Sequence, residues 1–247
     1  MFGLLFAGFA YLCFGAVVIA LAAFLVGSAL PIPLPIHVDA TIWPPLSSWQ
    51  AVIGDIGLIA LFGLQHSVMA RQGFKRWLTA VVPAPLERAV YVLMSSVMLV
   101  PLILLWQPLP ATVWQVSDPL AVQALWVLYG FGWLLLVAAT FMINHFELFG
   151  LAQAWRRWRH LPMPSDEFRV TYLYRYMRHP IYTGWLLIFW ATPLMSVGHL
   201  LFAIGMSLYI LVGIAYEERD LIAAFGDRYR DYRRRVPALI PGFKARG

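Results

Sequence analysis

The chain has 247 residues, 61% of them hydrophobic and 12% charged. Soluble globular domains run at about 25% charged, so this composition excludes an ordinary soluble protein. The formal charge of +6 gathers at the ends of apolar runs, which argues against a nucleic-acid partner, and the single Cys13 excludes an internal disulfide framework.

A membrane-spanning helix needs about 20 apolar residues. Residues 1–30 hold no charged side chain and lack the basic start of a signal peptide, so they are expected to form an uncleaved first span. The stretch Pro31-Ile32-Pro33-Leu34-Pro35 ends it, because proline cannot continue the helical hydrogen-bond ladder. Further spans are expected over 51–70, 89–106 and 120–143. The apolar run 181–216 is longer than one crossing needs. Its interruptions at Pro193 and Ser196-Val197-Gly198 predict two short helices joined by a tight turn. After it, Phe225, Tyr229, Tyr232 and Val236 recur at helical spacing, with Arg and Asp on the other face. The expected fold is an all-α integral membrane helical bundle of one domain, residues 1–247. It has five to six transmembrane segments, the last two a hairpin, and a cytoplasmic C-terminal amphipathic helix.

All 18 Lys and Arg fall in 71–88, 156–178 and 219–246, whereas the loops 31–50 and 107–119 hold Asp39 and Asp118 but no Lys or Arg. Six crossings put the three basic segments on one face, which the positive-inside rule makes cytoplasmic. Both termini follow, and a bacterial inner membrane is the expected location. The plain role of such cations is to lie beside anionic lipids.

Polar side chains at span ends carry the chemistry, because a bilayer penalises them elsewhere. His66, Tyr91, Asn144, His145, Glu147, Arg178, His179, Tyr182, Glu217, Glu218 and Arg219 are all expected at one depth on that face. A single His there is usually a headgroup or interhelix contact, but three beside carboxylates and tyrosines suggest a site. Pro180 suits the first helical position, and the amides that follow favour an anion that Arg178 reinforces. Glu217 and Glu218 close a long helix whose C-terminus is already partly negative, so a cation is expected to meet them: Arg219, or an ammonium or sulfonium ligand. No His-x-x-x-His or paired-Cys spacing supports a metal site. Transport finds little support, since no inverted repeat and no mid-membrane charge is seen.

Three blocks carry a resemblance. Arg178-His179-Pro180-Ile181-Tyr182-Thr183-Gly184, then Glu217-Glu218-x-x-Leu221-x-x-x-Phe225-Gly226-x-x-Tyr229-x-x-Tyr232, then Val236-Pro237-x-x-Ile240-Pro241, resemble the isoprenylcysteine carboxyl methyltransferase superfamily over residues 174–243. Within it, Gln65-His66-Ser67-x-Met69-Ala70-Arg71, Pro83-x-Pro85-x-Glu87-Arg88-x-x-Tyr91 and Asn144-His145-Phe146-Glu147-Leu148-Phe149-Gly150-Leu151 are similar to methanethiol S-methyltransferases and their NnrU-like relatives. The resemblance implies a small helical membrane bundle that binds S-adenosylmethionine at its cytoplasmic end. Residues 174–243 would hold that donor and residues 1–160 would supply the substrate side.

The donor-binding set is then expected to comprise Arg178, His179, Pro180, Tyr182, Gly184, Glu217, Glu218, Arg219 and Tyr229. Arg178 or Arg219 would meet its carboxylate, and Glu217 or Glu218 its ammonium. The catalytic set is expected to comprise His66, His145, Glu147, Tyr91 and Arg71, with His66 or His145 as base and Glu147 orienting His145. A thiolate is the competent nucleophile, so a base helps when the acceptor is an alkanethiol. The expected reaction is methylation of a small thiol, methanethiol to dimethyl sulfide. Its rivals are a larger lipid or isoprenyl acceptor, and an NnrU-like membrane protein linked to haem or nitrogen oxides. Oligomeric state is not legible.

Overall fold

The computed structural model describes residues 1–29, 34–163 and 168–242. The prolines at 31 and 33, both cations of the 244–246 end and the limit at 243 of the expected donor segment lie outside them. In chain order the helices are α1 (Phe2–Val26), α2 (Ser48–Ala70), α3 (Gln72–Thr79), α4 (Glu87–Leu104), α5 (Pro119–Ile143), α6 (His145–Leu148), α7 (Leu151–Trp158), α8 (Pro180–Trp190), α9 (Val197–Phe225) and α10 (Asp227–Arg235). Three short 3-10 turns (Gly27–Ala29, Ala84–Leu86 and Tyr172–Arg175) and two short strands, β1 (Thr112–Gln115) and β2 (Leu194–Ser196), complete the described elements.

Five of these helices, α1, α2, α4, α5 and α9, are long and apolar enough to cross a membrane. The protein is an all-α integral membrane protein. Local chemistry sets the boundaries. Ser47 and Gln50 form a capping box at the start of α2, with Ser47 N–H donating to Gln50 Oε1 at 3.2 Å. Asp118 Oδ1 accepts from Ala121 N–H at 2.9 Å, and Pro119 takes the first helical position of α5. Gly226, at φ +58°, separates α9 from α10 in a conformation that other residues rarely adopt.

The predicted interruption after α8 is present, but the two helices are unequal, 11 and 29 residues. At 1.5 Å per residue α8 rises only about 17 Å, against a hydrocarbon core of about 30 Å, so it does not cross unaided. Nor is the link a bare turn. β2 pairs antiparallel with β1, Thr112 opposite Ser196 and Gln115 opposite Leu194.

The chain forms two compact units, each drawing on three stretches. The first comprises Met1–Gln115, Phe146–Met163 and Leu194–Gly205. In it α4 packs between α1 and α2, and α7 lies on α1. Small side chains permit this: Ala7, Ala10, Ala89 and Ala154 are buried together with Leu86. Phe24, Trp106 and Phe202 stack edge-on further along, with ring centroids 5.7–6.0 Å apart. One charge lies inside a span, contrary to expectation. Asp55 of α2 is fully buried, its Oδ1 accepting from Gln107 N–H at 2.9 Å. Its isolation in an apolar run hid it.

The second unit comprises Val116–His145, Pro164–Pro193 and Met206–Gly247. Its main contact is α5 on α8, where two glycines meet. A Cβ on Gly184 would lie 2.8 Å from the Gly132 carbonyl oxygen, so only hydrogen fits there. The tail helix α10 buries Tyr229, Tyr232 and Val236 around Phe168, as its helical spacing predicts.

Candidate functional site

In the second unit the Arg178-His179-Pro180 turn, α9 and the tail converge on one carboxylate; Glu217 and Glu218 do not close their helix as expected, because α9 continues to Phe225. Pro180 is buried at the first position of α8, which leaves Arg178 and His179 just before the helix. Both of their amides are used: Arg178 N–H donates to Pro237 O at 2.9 Å and His179 N–H to Ala238 O at 3.0 Å. Thr183 Oγ1 donates to Leu239 O at 2.8 Å. The Val236-Pro237-Ala238-Leu239 strap is thereby seated against the start of α8.

The side chains form a network around Glu218. Arg178 donates to its Oε1 through Nε at 2.7 Å and Nη2 at 2.6 Å, and His179 Nε2 donates to the same oxygen at 3.1 Å. Arg233 of α10 meets the other oxygen, Nε to Oε2 at 2.9 Å. Arg178 Nη1 also donates to the carbonyls of Arg233, at 3.1 Å, and of Val236. Glu218 and His179 are buried, as a charge paired on every side permits. Glu217, next in sequence, is different. Its side chain is 45% exposed and its Oε2 lies 3.8 Å from His179 Nδ1.

The rest of the expected donor set surrounds this network or supports it. The Tyr182 ring lies 5.6 Å from that of His179. Arg219 is exposed, its guanidinium 5.5 Å above the Tyr216 ring. Tyr229 is buried among Phe168 and Tyr232, whose hydroxyl donates to Tyr174 O at 2.6 Å. Burial pushes the phenols of Tyr174 and Tyr229 up, and that of Tyr232 up to about 12. Gly184 sits at the α5–α8 crossing described above, where packing alone requires a glycine.

The expected catalytic residues fall into two groups. In the first unit His66 is held at both ring nitrogens: Nδ1 lies 2.9 Å from Ser95 Oγ and Nε2 lies 2.5 Å from the Tyr91 hydroxyl. Ser95 spends its own hydrogen on Tyr91 O at 2.8 Å, so its oxygen accepts from His66 Nδ1–H. Nε2 is then the acceptor, and Tyr91 O–H donates to it. The Phe62 ring stacks on His66 at 5.4 Å and Arg88 lies 6.0 Å from the Tyr91 ring centroid. Arg71 caps α2, its Nε donating to Ser67 O at 3.2 Å.

In the second unit His145 Nδ1 lies 2.8 Å from Thr140 Oγ1, which donates its hydrogen to Val137 O. His145 therefore carries its hydrogen on Nδ1 and presents Nε2 as acceptor. Burial holds it below the ordinary histidine value, so it is neutral at pH 7. Glu147, in the first unit, accepts at its carbonyl from Gly150 N–H at 3.2 Å and Gln153 Nε2 at 3.0 Å.

Sequence reasoning missed Ser95, Thr140, Thr183 and Arg233. Two of them left a signal: Thr183 stands inside the Arg178–Gly184 block, and Arg233 four residues after Tyr229 on the tail helix.

Against known proteins, the model of the NnrU protein family matches residues 56–239, which include every expected site residue from His66 to Tyr229. A protein of Mycobacterium tuberculosis named methanethiol S-methyltransferase is 50% identical over 216 residues, 87% of this chain and 88% of that protein. One of the same name from Pseudomonas deceptionensis is 50% identical over 201 residues, 81% of this chain and 77% of its own. Nurim of Xenopus laevis is more distant, 35% identical over 66% of this chain and 60% of its own. No solved structure matches. With the family's model running through both units and half of the residues shared with relatives over most of its length, the chain belongs to the NnrU family.

Proposed function

We propose that this protein is a membrane thiol S-methyltransferase that converts methanethiol to dimethyl sulfide with S-adenosylmethionine as donor, its basic segments and site facing the cytoplasm. The observation that carries the reading is the 50% identity, over 87% of the chain, to a protein named for that activity. The chemistry of the second unit supports it. A methionine-derived donor has an ammonium and a carboxylate, and Glu217 and Arg219 are exposed groups of the opposite charges in the last third of α9. Arg178 and Glu218 are less suited to touch the donor, because each is already engaged within the network. Tyr182 and His179 would flank it. When bound, the donor supplies an electrophilic methyl carbon on a sulfonium centre.

The chain's own residues bind, orient and manage the proton. A thiol of ordinary pKa is mostly protonated at pH 7, so removing its proton raises the supply of nucleophile. Two histidines have an acceptor Nε2: His145 directly, and His66 through Tyr91 O–H. In the His66 arrangement Tyr91 relays the proton, passing its own to Nε2 as it takes one from the thiol. Ser95 and Thr140 fix the tautomers that make this possible.

A second reading, a larger apolar acceptor, is favoured by one observation. The second unit has an apolar cavity of about 310 Å³ lined by Leu128, Thr183, Leu186, Leu187, Trp190 and Ile240. The test of both is headspace chromatography of sealed membranes given S-adenosylmethionine and methanethiol, with His179→Ala as control. Dimethyl sulfide formed only with the parent protein supports the first reading. Its absence, with methylation of long-chain thiols instead, moves the acceptor to the second.

A further inference from the structure

Glu218 is the hub of the donor site, and its two oxygens are served differently. Oε1 takes Arg178 and His179, which precede α8, whereas the recorded ion-pair partner of Oε2 is Arg233 of the tail helix. The clamp is reciprocal. Arg233 grips the carboxylate while its own carbonyl accepts from Arg178 Nη1 at 3.1 Å. Glu218 is buried, so Oε2 without Arg233 cannot simply turn to water. The carboxylate must then rotate to share Arg178 across both oxygens. That rotation moves the acceptor of His179 Nε2, and with it the ring whose Nδ1 lies 3.8 Å from Glu217. The Arg233 side chain is half exposed and meets the carboxylate through Nε, so a contact with the donor is not needed for its effect.

We propose that Arg233 is a positioning residue for the methyl-donor site: from the tail helix it fixes Glu218, and through Glu218 it sets the arrangement of Arg178, His179 and Glu217. This rests on the donor reading above and adds a residue to it. Nothing in the family blocks marks position 233.

The test uses the full-length protein in detergent. Isothermal titration with S-adenosylhomocysteine reads the site, and initial rates give both KM values. Arg233→Met is expected to weaken S-adenosylhomocysteine and raise the KM for S-adenosylmethionine about tenfold, the scale of one charge-assisted hydrogen bond. The KM for methanethiol and kcat are expected to stay in place. Arg233→Lys keeps the charge without the fork and is expected to bind with intermediate affinity. Arg234→Met, exposed and paired with Asp231, serves as the parental control. Unchanged affinity in Arg233→Met overturns the proposal, as does a lower kcat with both KM values unmoved, which would report only fewer folded molecules. If Arg233→Met does not fold, Arg233→Lys decides, and parental affinity there overturns it. A parent protein that binds no S-adenosylhomocysteine overturns the donor reading instead.

Discussion

The Tyr91 hydroxyl donates to His66 Nε2 at 2.5 Å, and the opposite nitrogen of that ring donates to Ser95 Oγ at 2.9 Å. The imidazole is thus fixed in one tautomer from both sides, and Tyr91 is the dyad's outer member. If the dyad takes the thiol proton, Tyr91→Phe should lower kcat by about 100-fold, the lower end of general-base contributions, while donor affinity is unchanged. The deficit should shrink only as pH climbs beyond the cysteine value of about 8.5, toward the higher pKa at which a simple alkanethiol ionises unaided. A deficit still flat with pH once the free thiol is substantially ionised, measured as dimethyl sulfide formation from about pH 6.5 to about pH 10.5, would remove the dyad from proton transfer and leave His145 as the base.

The adjacent carboxylates Glu217 and Glu218 should separate cleanly by substitution. Glu218→Gln strands Arg178 and Arg233 around a neutral amide and should cost about 3 kcal/mol of stability, as breaking a buried ion pair does. Glu217→Gln, on a half-exposed side chain, should leave the melting temperature within error and weaken S-adenosylhomocysteine binding. Thermal unfolding and titration calorimetry on both variants check this. Equal behaviour of the two would refute the division between hub and ligand.

Alkaline pH should release the tail. The phenols of Tyr174 and Tyr229 are raised by burial, and that of Tyr232 is raised to about 12, above the value near 10 of a free tyrosine. Ionisation therefore favours the undocked state: docking is complete below about pH 10 and weakens as pH climbs toward 12. Absorbance at 295 nm should show a late-titrating class of tyrosines. Proteolysis at the tail arginines should accelerate over the same window, and in Tyr232→Phe the late class should shrink.

Gly184 distinguishes packing from ligand binding. A leucine there must push into the backbone of α5 at Gly132, an overpacking that should cost about 3 kcal/mol. Gly184→Ala, with a single carbon in the same place, should be milder. If both fold like the parent and lose donor affinity alone, the residue belongs to the site and not to the helix crossing.

The spans were legible because a bilayer leaves little choice where apolar runs approach 20 residues, and the ends of the first four were predicted within a few residues, whereas α9 runs nine residues past the expected 216. The β1–β2 pair was not, since four residues of Thr112-Val113-Trp114-Gln115 carry no usable period and their partner lies some 80 positions later. The donor block was recognisable by its residue types, but not by their division of labour. Successive residues on a helix point about 100° apart, so nothing in Glu217-Glu218 says which turns inward until α10 is docked. His66 could be singled out at its span end, whereas Ser95 looked like one more small residue in an apolar helix. Its role lies in which atom keeps the hydrogen, and that needs coordinates.

The strap that accepts from the Arg178 and His179 amides lies more than 50 residues further along the chain. During biosynthesis, α5 and α8 enter the bilayer while the residues that satisfy the turn before α8 are still unmade. Until residues 233–238 leave the ribosome, Arg178 has Glu218 but none of its carbonyls, and the His179 amide has no acceptor. The second unit must therefore wait, open at one end, until the strap has been made. A nascent chain stalled short of the tail should be inserted in the membrane yet unable to hold a methyl donor.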